Sequence, residues 1–384
     1  MALAKRLPYA ITGISAVVAE PTPIDEWAAN AQIPNRKHPD QSLTGADITR
    51  ILGLRSKSWD PEIFSSLGPA VSAARRALAS AGIEPQDIDT LITVTSIPYQ
   101  PMMDADSMEI ARELGLADSV APIGLSTGCA GMVRAARLLA AMDVERALIV
   151  TYNAPSRVMG DKAGRIDSRY TSNIHHPFAR DLWASPALFS DGAAALVFSR
   201  THIANAAEDG IVTYSGDRHT PFGGAPGFAD PLVHHPGGSA LLPFASEDGL
   251  QYSAYGMNAP AIKEYYMEGM ALNHQELSRV APNYDDLVRR IYLHQANPFI
   301  VNDFLRMADL PDQKTPTHGE TYGNLITVAS PLMLHQDIMT QQVRTDDRVA
   351  FSLVGGGPER GSFIAPIQVP HPECLTSPHV SRGR

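Results

Sequence analysis

One order of elements occurs twice in this chain: helix, short apolar strand, polar residue at a helix start, second helix, second strand. In the first half Gly68-Pro69 opens a helix that Gly82 closes, with Val71, Ala74 and Leu78 on one face. Pro suits a first helical turn and Gly an exit. Leu91 to Val94 reads as a strand buried on both sides. Ser107 to Leu114 is a helix closed by Gly115, and a strand is expected near Val120 to Leu125. Gly128-Cys129-Ala130-Gly131 then leads into an Ala- and Leu-rich helix to about Met142, and Arg146 to Tyr152 is the next strand. The second half gives a helix over Asp285 to Arg290, a strand Ile291 to Leu293 ending at His294, an apolar helix from Asn324 to about Met339, and a strand Arg348 to Val354. Asp89 precedes Cys129 by 40 positions and Asp285 precedes Asn324 by 39. A duplicated α/β layer follows, with a largely parallel sheet in each half and the two helix starts near a pseudo-twofold axis. The halves are taken as 1–200, carrying Cys129, and 201–384, carrying His294 and Asn324.

Bulk properties narrow the function. Of 384 residues 44% are hydrophobic and 19% charged, and the formal net charge is −10 with no basic stripe, which argues against nucleic-acid binding. No apolar run reaches the roughly 18 residues of a membrane helix. Lys5-Arg6 and the apolar stretch to Val18 imitate a signal peptide, but Pro8, Thr12, Gly13 and Ser15 interrupt it, so a buried first strand from Tyr9 to Val18 is the reading adopted. Cys129 and Cys374 are the two cysteines. They make no disulfide framework, and a reducing cytoplasm suits them. Stretches 155–186 and 219–242 are read as long polar loops, lids or mobile surface. The tail after Pro366 is expected to fray. His175, His176, His234 and His235 have no metal spacing, so neither a metal nor a cofactor is expected.

The chemistry-bearing residues each have a plainer reading. A free cysteine is commonly a small buried hydrophobe, a histidine ending a strand a hydrogen-bonded core residue, and Asn324 a helix N-cap. Cys129 stands apart because Gly128 permits a tight turn and the expected helix start would stabilise a thiolate and offer its N–H to an oxyanion. Asn297-Pro298 reads as N-cap and first residue of a helix to about Ala308.

Taken together, Gly128-Cys129-Ala130-Gly131, His294-Gln295-Ala296-Asn297, Gly323-Asn324, Ser190-Asp191-Gly192-Ala193 and Gly355-Gly356-Gly357 with Gly361 resemble the motifs of the ketoacyl synthase III family, condensing enzymes of the thiolase superfamily. The resemblance spans roughly Tyr9 to Ala365. It implies an α/β thiolase fold, a duplicated five-layer αβαβα arrangement, and a homodimer. It implies that Cys129 takes an acyl group from acyl-CoA or an acyl carrier protein. His294 and Asn324 would hold the carbonyl of a malonyl-type thioester during decarboxylation, and the N–H groups of Cys129 and Gly356 would form the oxyanion hole. The chain departs from the family at Arg50 to Arg55, which carries one extra residue, at Asp47 near the place of a tryptophan, and at Pro298-Phe299 in place of an arginine. Those positions serve docking, for which Lys263 is the remaining candidate. A specialised, polyketide-type pathway is the expectation. The rivals are acyl transfer from Cys129 to an oxygen or nitrogen acceptor, and a non-catalytic partner subunit, which would be expected to lack the nucleophile or the histidine.

Overall fold

A computed structural model describes residues 4–35, 38, 40–100, 103–160, 165–171, 173, 176–201, 210–217, 232–234 and 254–381. The elements that position the site are β1 Lys5–Leu7, β2 Tyr9–Ala19, α1 Gly68–Ala81, β3 Thr90–Thr95, α2 Ala105–Leu114, β4 Ile123–Ser126, α3 Gly131–Leu139, β5 Arg146–Asn153 and β6 Gly192–Arg200. The second half follows with β7 Gly210–Ser215, α4 Ala259–Val280, β8 Arg290–Leu293, α5 Pro298–Ala308, α6 Ala329–Met339, β9 Arg348–Gly355, β10 Glu359–Pro366 and β11 His379–Val380.

Two sheets result. The first runs β11-β2-β6-β5-β3-β4 and the second β1-β7-β10-β9-β8. Strand β3 is parallel to β4 and β5, while β6 runs antiparallel to β5 and β2. The second sheet repeats this scheme: β8 is parallel to β9, and β10 is antiparallel to β9 and β7. In each half the first strand lies beside the last, then the next to last, then the second. Helix α3 packs between the sheets against β3 and β5 on one side and β7, β9 and β10 on the other, and α6 bridges β2 and β6 to β8. Helix α1 covers the outer face of the first sheet and α4 that of the second. The chain therefore has the five-layer αβαβα thiolase fold. Coverage of both faces explains why β3 is buried at every position.

Packing is close. A Cβ on Gly13 would run into the carbonyl of Ala77, so the absence of a side chain there lets α1 lie on β2. The Gly82 exit has φ 65°, a left-handed position that glycine takes without strain. Between the sheets Met132, Val133 and Leu139 of α3 join Ile92, Ile149, Phe351 and Phe363, the last two stacked at 4.4 Å. Each such side chain contributes roughly 1.5–3 kcal/mol on burial.

The structure corrects several expectations. The Asp285 helix is a single turn, Tyr284–Leu287, and Arg290 already belongs to β8. The helix after Asn324 begins only at Ala329, behind a 3₁₀ turn over Ile326–Val328. Helix α3 ends at Leu139, short of Met142. Strand β4 is half-exposed, because it forms the sheet edge. Within 155–186 the described residues are packed: Met159, Ile166, Tyr170 and Leu182 are buried in one apolar cluster. Of 219–242 only residues 232–234 are described. His175 and His235 lie outside the described residues, as does the side chain of His234. The tail does not fray to its end: Gln368 N–H donates to Ile11, His371 N–H to Ser80, and β11 pairs with β2. Apolar anchors at Ile367 and Leu375 hold it. Both ends cross a divide at residue 200, since β1 lies in the second sheet and β11 in the first.

Candidate active site

Cys129 sits in the turn between β4 and α3, one residue before the helix N-cap at Ala130. The strand ladder carries the chain to this point: Thr127 N–H still donates to Thr95, and Gly131 N–H closes the turn on Gly128. The glycine segment after β9 lies directly against it. A Cβ on Gly355 would come within 2.8 Å of the Ala130 nitrogen and 3.4 Å of the Cys129 nitrogen, so only glycine allows this approach. Gly356 and Gly357 line a cavity of about 360 Å³ that Cys129 also lines. Ile97, Met159, Phe189, Tyr255 and Ile326 form much of its apolar wall. The volume is at the small end of ordinary ligand pockets.

The expected thiolate is not the resting form. Burial pushes the Cys129 thiol up to about 12; its own backbone N–H lowers it and the negative charge of Glu359 raises it further. Desolvation outweighs the helix start here. Cys129 is a free thiol, partly exposed, at the cavity wall.

His294 follows β8 as the ladder ends, its N–H donating to Ser352 and its carbonyl accepting the Tyr266 hydroxyl at 2.7 Å. Burial pushes its ring down to about 3, so the imidazole is neutral. Its buried Nδ1 has no hydrogen-bond partner among the described residues. Asn324 is not a helix cap. Its Oδ1 accepts Ile326 N–H at 2.8 Å, and its Nδ2 donates to the Ala296 carbonyl at 3.2 Å. The histidine and asparagine motifs therefore meet through that bond. The Asn324 backbone is clamped by the first half: its N–H donates to Leu188 and its carbonyl accepts Ser190 N–H, both at 2.9 Å. Its neighbours Phe189 and Ile326 reach the cavity, whereas His294 and Asn324 are not among the lining residues.

Lys263 lies on α4, side chain 56% exposed, paired with Asp303 of α5 at 3.1 Å. Arg55 is paired with Glu320 at 3.1 Å, and Arg50 with Asp47. His176 is a loop stitch: its Nε2 meets the Ala254 carbonyl and its Nδ1 accepts Phe178 N–H. Among the described residues no group of acidic, histidine or cysteine side chains could hold a metal, and no helix is long and apolar enough to cross a membrane.

Three groups escaped the sequence reading. Lys57 is fully buried, donates to the carbonyls of Pro186, Ala187 and Phe189, and lies 4.3 Å from the rings of both Trp27 and Trp59. Glu359, two residues past the glycine segment, pairs with Arg134 of α3 inside the cavity wall. His318 is buried, its ring nitrogens have no hydrogen-bond partner among the described residues, and burial pushes it down to about 3. A charge set directly after three glycines was the one readable signal; Lys57 and His318 gave none.

Residues 284–367 match the family model for the C-terminal part of 3-oxoacyl-[acyl-carrier-protein] synthase III. A beta-ketoacyl-[acyl-carrier-protein] synthase III from Synechococcus sp. (strain WH7803) is 26% identical over 78% of this chain and 81% of its own length. A 3-oxopimeloyl-[acyl-carrier-protein] synthase from Brucella abortus (strain 2308) is 27% identical over 83% and 89%. The crystal structure of a 3-oxoacyl-(acyl carrier protein) synthase III from Pseudomonas aeruginosa PAO1 superposes with a TM-score of 0.71 at 21% identity, covering 94% of this chain and 98% of the other.

Proposed function

Taking the chain as a 3-oxoacyl-ACP synthase III-like condensing enzyme of the thiolase superfamily, we propose that it is acylated on Cys129 and forms a carbon–carbon bond with a malonyl-type thioester. The observation that carries this reading is the meeting of segments. Cys129 at a strand-to-helix turn is capped by Gly355 to Gly357, and Asn324 is tied to Ala296, two residues beyond His294. In the first step the Cys129 sulfur bonds the acyl carbon, the donor's C–S bond breaks, and the carrier thiol leaves with the proton. In the second, neutral His294 and Asn324 donate to the thioester carbonyl as the malonyl C–C bond breaks and carbon dioxide leaves. Negative charge then develops where fixed donors stand. The enolate attacks the acyl carbon, the Cys129–acyl bond breaks, and the thiol recovers a proton. The N–H groups of Cys129 and Gly356 are assigned to the transient oxyanion. The steps as written call on no cofactor or metal.

Acyl-CoA, an acyl carrier protein, or both are the proposed donors, with Lys263 as a docking candidate. A second copy of the chain is the proposed partner on the β4 edge, which pairs on one side only among the described residues. The departures at Arg50 to Arg55 and Pro298-Phe299 support a specialised, polyketide-type role. Incubation with a malonyl thioester after acyl loading, following carbon dioxide release and product mass together, tests the reaction. Product with stoichiometric carbon dioxide is expected. Product without it would move the assignment to transfer onto an oxygen or nitrogen acceptor, or to a non-decarboxylative condensation, which the product mass distinguishes.

A further inference from the structure

The cavity beside Cys129 is not lined by one kind of surface. Besides the apolar residues, Ser126, Thr127, Arg134 and Glu359 line it. The Glu359 side chain is 2% exposed, and both oxygens are occupied. Thr127 donates to Oε1, while Arg134 Nε at 2.8 Å, Arg134 Nη2 at 2.7 Å and the Tyr214 hydroxyl at 2.8 Å all converge on Oε2. Arg134 is placed differently. Its side chain is 37% exposed, it lines the cavity, and Glu359 engages only its Nε and Nη2. A guanidinium has five N–H donors; Glu359 takes the Nε and one Nη2 hydrogen and Tyr214 also hydrogen-bonds the side chain, and these bonds do not use them all.

An ion pair is a poor wall for an alkyl chain. Covering those donors with methylene groups removes them from water and returns no hydrogen bond. An apolar filler of the same volume would serve stability as well or better. What the pair adds is a guanidinium fixed at one end by Glu359 and presenting N–H groups to whatever Cys129 carries, a geometry suited to planar oxygen acceptors.

We propose that the cavity selects acyl thioesters whose far end bears acceptor oxygens, charged or neutral, and that Arg134, held by Glu359, reads that end. This rests on the assignment of Cys129 as the acylated residue. The covalent step is unchanged: the donor C–S bond breaks as the Cys129 sulfur bonds the acyl carbon, and the carrier thiol leaves with the proton.

The test is a rate comparison of Cys129 loading, followed by intact mass, for succinyl-CoA and acetoacetyl-CoA against butyryl-CoA and pentanoyl-CoA. The oxygen-ended pair should load about 10²-fold faster, the order of discrimination a built hydrogen-bonding site gives at the least. The double variant Arg134→Leu/Glu359→Leu leaves no buried charge unpaired, and it should load butyryl faster and lose the preference to within about threefold. Arg134→Lys keeps a charge on Glu359 but gives up the spare fork, and should lose most of the preference with the fold intact. Equal loading of alkyl and oxygen-ended groups by the unaltered protein, or an unchanged preference in either variant, overturns the inference while leaving the Cys129 assignment standing. Loading of none of the four overturns that assignment and the inference with it.

Discussion

The two halves share a strand order but deliver their polar residues differently. In the first, β4 runs through a tight turn into α3, and Cys129 sits in that turn. In the second, no strand leads to Asn324; a one-residue bridge to Phe189 takes its place, and a 3₁₀ turn separates it from α6. The contrast follows what each residue must offer. In the proposed reaction Cys129 needs a backbone N–H beside its sulfur, which a strand-to-helix turn supplies by itself. Asn324, in the proposed reaction, needs its side-chain amide held in one orientation, which Ile326 N–H and the Ala296 carbonyl do. The first half holds the Asn324 backbone, through Leu188 and Ser190, and behind them stands Lys57, which gathers the carbonyls of Pro186, Ala187 and Phe189.

The comparison can be broken at four places. Cys129→Ala should abolish covalent acyl loading altogether while circular dichroism and thermal melting stay close to those of the parent; loading on the variant, or on Cys374, would remove the first half from the chemistry. Asn324→Ala should still load acyl groups but lose malonyl decarboxylation by about 10²–10³. Parallel assays of loading and carbon dioxide release separate the two, and equal losses would mean the halves do not divide the work. Lys57→Met should cut decarboxylation by roughly 10–10², the cost of a displaced catalytic group, with loading reduced far less. It should also lower the melting temperature, because carbonyls lose a buried donor at about 1–3 kcal/mol each. A variant that loses loading and decarboxylation in step would show Lys57 to be a general support of the fold. The last test concerns pH. Because the Cys129 thiol is pushed up to about 12, its thiolate fraction rises with pH throughout the neutral range. Alkylation by iodoacetamide should therefore climb about tenfold per pH unit between about pH 7 and 10 with no plateau. A plateau near pH 8 would mean that the helix start, and not burial by its surroundings, governs the sulfur.

Much of this division was readable in the residues. Gly68-Pro69 with Gly82, and Asn297-Pro298, mark helix ends by local chemistry, and the structure has α1 and α5 there. Strand β3 was legible as a short apolar run because helices cover it on both faces. What stayed hidden depends on distant partners. Asn324 looks like an N-cap from its sequence neighbours, since nothing local reveals that its oxygen turns to Ile326 and its nitrogen to Ala296. Lys57 lies between two serines and reads as a solvated charge; its carbonyl partners are about 130 residues away. The upward shift of the Cys129 thiol stayed hidden for the same reason, because it comes first from burial by distant segments and then from the charge of Glu359.

The crossing of the two ends has a consequence for anyone who would take the molecule apart. Lys5–Leu7 completes the second sheet against β7, and His379–Val380 extends the first against β2. A cut near residue 200 would yield two pieces each missing an edge strand and each carrying one that belongs to the other. Such pieces should be poor as separate products but well suited to reconstitution, since each brings a strap the other can bind. The same straps argue for placing a fusion tag on a spacer: a rigid partner set directly on either strap would compete with the pairing that joins the halves.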